Sequence, residues 1–343
     1  MKKLVSIFLI FSILLGLFGC ARLPAEPAEE TVPEGMRAVV DMAGRRVIIP
    51  EKIESAAVIY GVTINFLLAL GVADRLVALN GTWSVYDQVE PKLALADTVG
   101  QGAVDLEKLA KVNPDLFIHR ANEPRTIEAI EALGIPVIAI QPETSEQILE
   151  TLSLLGEVFG VEDRAKELSD YYDSRVAFAG ELIASIPEGE RKSAVMMGSE
   201  IGRIAGGDML QSDMIVKAGG INPAQDIKTG QTWPTVGTET IFDWNPDFIF
   251  CTNSKSSTYS PESLMDDPVW GELKAVQNGN VYKMPSEVDS WEFPGVVTCL
   301  GFLWMLQKMY PELYSEEEFL KEVDGFYNMA YGMTFERDYL GGY

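Results

Sequence analysis

A chain of 343 residues that is 47% hydrophobic and 23% charged can bury a large core, which excludes an intrinsically disordered protein and favours two domains over one. Its 51 acidic residues against 27 basic ones leave a net charge of −24, a surface that repels nucleic acid. The single histidine, His119, excludes a bare zinc or manganese site built on several histidines.

Lys2 and Lys3 precede an apolar run over residues 4–17 that is too short to be read first as a spanning helix, so residues 1–19 read as a secretory signal. Leu17-Phe18-Gly19-Cys20 resembles a bacterial lipobox, which implies that Cys20 is diacylated and becomes the mature N-terminus. The plain alternative is an ordinary signal with an incidental cysteine. Residues 21–35 set Pro24, Pro27 and Pro33 among Glu26, Glu29, Glu30 and Glu34, too little apolar content to pack, so residues 20–36 are expected to be a lipid anchor and flexible tether.

Two β-rich runs around Ala43-Gly44 predict a hairpin. Residues 56–60, 76–79, 116–118 and 137–140 read as strands, with helices over 62–70, 105–112 and 125–133 between them; Gly71 and Gly134 stand just past helix ends. This alternation predicts a parallel, doubly wound sheet. Thr144 and Gln147 form a capping-box pattern before a helix with Ile148, Leu152, Leu155 and Phe159 on one face. A second helix over 163–186 would be about 36 Å long, enough to cross from one lobe to another, and so stiff a hinge predicts little lobe closure. The alternation then resumes: a strand over 193–197, a strand or loop over 201–205, a helix over 209–218, helical segments over 261–265 and 268–276, and a strand over 281–284. Closing helices are predicted over 296–309 and 315–331. Cys251 and Cys299, each in an apolar segment, fit buried free thiols better than any metal spacing, with a disulfide between them left open.

One unit recurs. Residues 105–118 and 237–250 each carry a glutamate, Glu107 or Glu239, six residues before an Asn-Pro-Asp, Asn113 to Asp115 or Asn245 to Asp247, followed by an unbroken apolar run. The residue before a proline is steered out of the α region, so each copy predicts a short helix, a tight turn and a strand covered on both faces. Taken by themselves, the two glutamates suit the positive end of a helix dipole.

The lipobox, the hairpin, the Glu-x5-Asn-Pro-Asp repeat and a single long helix between lobes together resemble one family, the substrate-binding proteins of ABC importers that take up iron chelates, haem and cobalamin. The resemblance covers residue 38 to the C-terminus. It implies an α/β protein of the class III periplasmic-binding-protein fold: two Rossmann-like lobes, 37–160 and 188–343, joined by a single long interlobe helix, 161–187, around a shallow cleft. It also implies no catalysis, no cofactor, and a monomer anchored to the outer side of the cell membrane by its N-terminal lipid. The partners it implies are a permease dimer with its ATPase subunits. In that family an acidic residue at each lobe tip pairs with arginines of the permease, and the motif places that role on Glu107 and Glu239.

Ligands in open α/β sheets bind beyond the carboxyl ends of the strands. The residues there are aromatic and polar: Tyr60 after the first strand, Trp83 and Tyr86 in the loop after Leu79, His119-Arg120 after Ile118, and Trp233, Tyr259, Trp291 and Gly206-Gly207-Asp208 in the second half. Rings would stack on a flat or macrocyclic ligand and Arg120 would pair with an anionic chelate group, although packing within a loop explains any one ring as well. A ferric siderophore is the first expectation, with haem or a corrinoid as alternatives. A metal-chelatase-like enzyme or a non-transport surface lipoprotein are the readings from other classes. The enzyme reading lacks Gly-x-Gly-x-x-Gly, Gly-x4-Gly-Lys-Ser/Thr, His-Glu-x-x-His and Gly-x-Ser-x-Gly motifs, and the retained aromatic loops argue against an adhesin.

Overall fold

The computed structural model describes residues 32–81 and 89–341; Cys20, Trp83 and Tyr86 lie outside them. Strands β1 (Met36–Val40) and β2 (Arg46–Pro50) pair antiparallel, from Met36 against Pro50 to Val40 against Arg46. The buried Asp41 holds the turn: Oδ1 accepts from the amides of Ala43 and Arg45, and Oδ2 from the Arg45 guanidinium and the amide of Ala139. One carboxylate thus closes the hairpin and ties it to a strand of the sheet that follows.

That sheet is built from β3 (Ala56–Val58), helix α1 (Gly61–Ala69), β4 (Leu76–Leu79), β5 (Asp97–Thr98), α2 (Leu106–Val112), β6 (Leu116–Arg120), α3 (Pro124–Glu131) and β7 (Val137–Ile140). The strands are parallel in the order β5-β4-β3-β6-β7. Every residue of β3 and β7 is buried, as unbroken apolar runs covered on both faces must be. The chain starts in the middle, winds to one side through β4 and β5, and returns to wind the other way through β6 and β7. The carboxyl ends of β3 and β6 therefore flank the point where the winding reverses, the place where such sheets open a crevice.

Helix α4 (Ser145–Phe159) starts with the Thr144 hydroxyl accepting from the Gln147 amide at 3.2 Å and ends at Gly160, in the left-handed region at φ 67°. Helix α5 (Glu162–Ile183) follows, 22 residues and about 33 Å long. The second sheet consists of β8 (Ala194–Met197), α6 (Leu210–Lys217), α7 (Thr238–Trp244), β9 (Phe248–Cys251), α8 (Pro261–Met265), α9 (Lys274–Gln277) and β10 (Val281–Lys283). Its three parallel strands stand in the order β10-β9-β8. Residues 201–205 make only single bridges, Ile204 to Met197 and Arg203 to Thr235, which resolves that segment as a loop. The helix predicted over 268–276 is broken into a 3-10 turn at Trp270–Glu272 and α9.

Helices α10 (Thr298–Met309) and α11 (Glu316–Tyr331) close the chain. They do not serve the second sheet alone: α10 packs on α5 and α6, and α11 packs on α1. One apolar core consequently runs from Ile118 and Ile140 of the first sheet through Leu152, Leu168, Phe302 and Phe326 to Met196 and Phe250 of the second. Burying each such side chain contributes about 1.5–3 kcal/mol. Cys251 and Cys299 are free and buried, and burial pushes the Cys251 thiol up to about 12. Among the described residues no helix is long and apolar enough to cross a membrane, and no group of His, Cys, Asp and Glu is placed to hold a metal ion.

Candidate functional site

Beyond the carboxyl ends of the two sheets lies a cleft of about 680 Å³, within the range of small-molecule sites. On the first wall Tyr60 stands two residues past β3 and Arg120 ends β6, so the winding reversal brings them together: the guanidinium lies 5.2 Å from the centre of the Tyr60 ring. Arg120 Nη2 also donates to Glu123 Oε1. Glu143, three residues past β7, completes this wall. Burial pushes its carboxyl up while Arg120 pulls it down, and burial pushes up the Tyr60 hydroxyl.

The second wall carries Asp208, Gln211, Trp233, Thr252 and Phe293. Trp233 has φ 57°, a left-handed conformation uncommon for a residue with a side chain and a pointer to a functional constraint. Its amide donates to Met209 Sδ at 3.2 Å. Gly198 lies under its ring, where a Cβ would come within 2.9 Å. Gly207 is needed just as closely, since a Cβ there would stand 1.8 Å from the Gln225 carbonyl oxygen; the approach lets residues 206–208 turn Asp208 into the cleft. Behind this wall sits Glu292, with no exposure. Its Oε1 accepts from Thr252 Oγ1 at 2.8 Å and from the Asn253 amide at 2.7 Å, and its carbonyl accepts from Gln211 Nε2 at 2.8 Å, so one buried residue fixes two cleft-lining side chains.

Of the residues expected at the site, Tyr60, Arg120 and Trp233 meet in the cleft. Three do not. His119 is 1% exposed on β6, its Nε2 3.0 Å from Glu123 Oε2 and its ring edge-on to Phe117; neighbours on a strand point to opposite faces, so Arg120 and His119 cannot both face the cleft. Burial lowers the pKa of that imidazole. Tyr259 points elsewhere, its hydroxyl donating to the carbonyls of Met197 and Gly198 at the end of β8. Trp291 is wholly buried, its Nε1 donating to Tyr327 Oη at 2.9 Å and its ring edge-on to Phe319. Arg120 reaches the cleft with its Nη2 engaged by Glu123, while its buried Nε has no hydrogen-bond partner among the described residues.

The pattern of the periplasmic binding protein family matches residues 57–288. This chain belongs to that family. The molybdate-binding protein MolA of Haemophilus influenzae is 22% identical over 330 residues, 88% of this chain and 93% of that one. Its molybdate-bound structure superposes with a TM-score of 0.76 at 21% identity over 88% of this chain and 99% of that one. The iron(3+)-hydroxamate-binding protein FhuD of Bacillus subtilis is 27% identical over 196 residues, 55% of this chain and 60% of that one. The Helicobacter pylori protein CeuE, solved with nickel and histidine, has a TM-score of 0.74 at 20% identity and covers 87% of this chain and 96% of that one. The fold is thus the periplasmic-binding-protein fold, and members of the family are extracytoplasmic binding proteins that work with ABC transporter permeases.

In this binding protein Glu107 and Glu239 are exposed in the first turns of α2 and α7, and neither lines the cleft. Glu143 was within reach of the rule that found Tyr60, since it also follows a strand. Glu292 was not: a buried acid carries no mark in a sequence.

Proposed function

We propose that this binding protein captures a metal chelate, a ferric siderophore, in the cleft and delivers it to an ABC permease dimer driven by ATPase subunits. The observation that carries the reading is the cleft of about 680 Å³, with the strained Trp233 and the Tyr60–Arg120 stack at its walls and polar side chains between them. Such a space suits an organic complex better than a bare oxyanion, and iron(3+)-hydroxamate binding is what the name of the FhuD relative describes. The burial of His119 disfavours a haem held by histidine. The protein acts as a monomer, held by a lipid on Cys20 outside the membrane, with Glu107 and Glu239 meeting the permease. The site holds a ligand and converts nothing.

The test is the visible absorption spectrum of protein purified from its native host, followed by titration of the stripped protein with ferric chelates. Ferric siderophores, haem and corrinoids absorb differently. A charge-transfer band of a ferric chelate is expected, and Trp233→Ala should weaken chelate affinity about tenfold, the loss of one well-placed ring contact, with a far-ultraviolet circular dichroism spectrum that matches wild type. A haem or corrinoid spectrum, or no response to any ferric chelate, overturns the siderophore reading.

A further inference from the structure

The charge of the cleft is lopsided. Among the described residues that line it, Arg120 is the one cation, and it is engaged by Glu123 and laid on Tyr60. Against it stand Glu143 on one wall and Asp208 on the other, with Glu292 buried behind. Glu143 has no hydrogen-bond or ion-pair partner for its half-buried carboxylate among the described residues, and Asp208 Oδ2 accepts only from the Gly230 amide, at 2.9 Å. Arg120 is the one opposite charge that acts on the half-buried Glu143, and Glu123 shares it, while Asp208 is exposed at the opposite wall; a cationic ligand would add the charge that a partly desolvated carboxylate lacks. The rings of Trp233 and Phe293 line the cleft, and aromatic faces attract a cation. The surroundings point the same way: a chain with a net charge of −24 draws cations toward its cleft and holds anions off.

We propose that the cleft selects a chelate carrying positive charge, a protonated amine or a cationic complex, seated between Glu143 and Asp208 against the faces of Trp233 and Phe293. This rests on the chelate reading above and names the class of chelate. It reverses the role that the sequence assigned to Arg120, which here shapes the wall by holding Tyr60 and Glu123.

Three probes separate the possibilities: a ferric trihydroxamate bearing a free amino group, the same complex with that amine acetylated, and a ferric tricatecholate of net negative charge. Each is titrated into wild type, Glu143→Gln and Asp208→Asn by tryptophan fluorescence at low and high salt. Wild type should bind the amine-bearing complex about tenfold more tightly than its acetylated form, the size of one partly desolvated charge-assisted contact. That preference should shrink in either variant and fall as salt rises. Asp208→Asn keeps an oxygen for the Gly230 amide, so circular dichroism of both variants should match wild type. Equal affinity for the amine and acetylated complexes, tighter binding of the tricatecholate, or a preference untouched in both variants overturns the proposal while leaving the chelate reading intact. No binding of any of the three overturns both.

Discussion

Asp289 is fully buried between two tyrosines, Tyr327 Oη donating to Oδ1 and Tyr331 Oη to Oδ2 at 2.8 Å. Burial outweighs those donations and pushes its carboxyl from the ordinary 3.8 up to about 7. The sign follows from proton counting. Between about pH 4 and pH 7 the folded protein holds a proton that the unfolded chain has released, so this group's contribution to stability is fully present in acid and is lost as pH rises through the folded value. Asp289→Asn keeps a neutral partner for the tyrosines and cannot titrate. Denaturant unfolding should find wild type and variant close near pH 4, with wild type falling behind steadily from there to pH 7 and by a few kcal/mol at pH 8.5. A difference that is constant with pH would show that Asp289 does not titrate in this range. The same residue explains why Trp291 was misplaced from sequence. Its partner Tyr327 lies 36 residues further on, and nothing local distinguishes a ring bound to a helix yet to come from one facing a cleft.

At the scale of the element, the repeated unit was legible because its physics is local. Asn113 and Asn245 adopt the left-handed conformation at φ 47° and 41°, which asparagine tolerates better than most residues, and the prolines after them end each helix. The aspartates have a job the sequence did not disclose. Asp115 Oδ2 accepts from the Ser55 amide and its own amide donates to Ser55 Oγ, and Asp247 with Ser193 repeats both bonds. Each pair latches the start of one strand to its neighbour, across 60 residues in one copy and 54 in the other. What was not legible is orientation: periodicity assigns a strand over 116–118 but not which of His119 and Arg120 turns to the cleft. The first-turn glutamates give a prediction at this scale. Each is exposed, so Glu107→Arg or Glu239→Arg should cost stability only about a few tenths of a kcal/mol, a dipole effect. Chelate affinity should stay near that of wild type, while uptake by cells carrying the matching permease is impaired in each and abolished in the double variant. Normal uptake in the double variant would leave both as helix-end charges and nothing more.

On the scale of the whole molecule, two sheets of five and three strands do not make two independent folding units. The largest apolar cluster joins them through α4, α5, α10 and α11, each sheet keeps a smaller cluster of its own on its other face, and the C-terminal helix α11 packs against α1 near the start of the chain. A chain of this length ordinarily invites intermediates. Here, thermal unfolding followed by tryptophan fluorescence and by far-ultraviolet circular dichroism should give coincident transitions. Two separated midpoints would mean that the shared core is weaker than either sheet alone. Bending at α5 would pull Phe302 and Phe326 off their neighbours, so ligand capture should be read in loop and side-chain movement, with little change in radius of gyration on titration.

That shared cluster also constrains how such a protein can change over generations. A crossover that took everything up to Ile183 from one relative and the remainder from another would set α1 against a foreign α11 and α5 against a foreign α10, exposing mismatched apolar faces in every recombinant. New ligands would be acquired by exchanging loops such as 141–144, 206–209 and 230–233, whose cleft-facing side chains can vary while the interior stays unaltered. Inheritance of specificity would therefore proceed loop by loop, and half-for-half hybrids with distant relatives should be recovered from cells as aggregates.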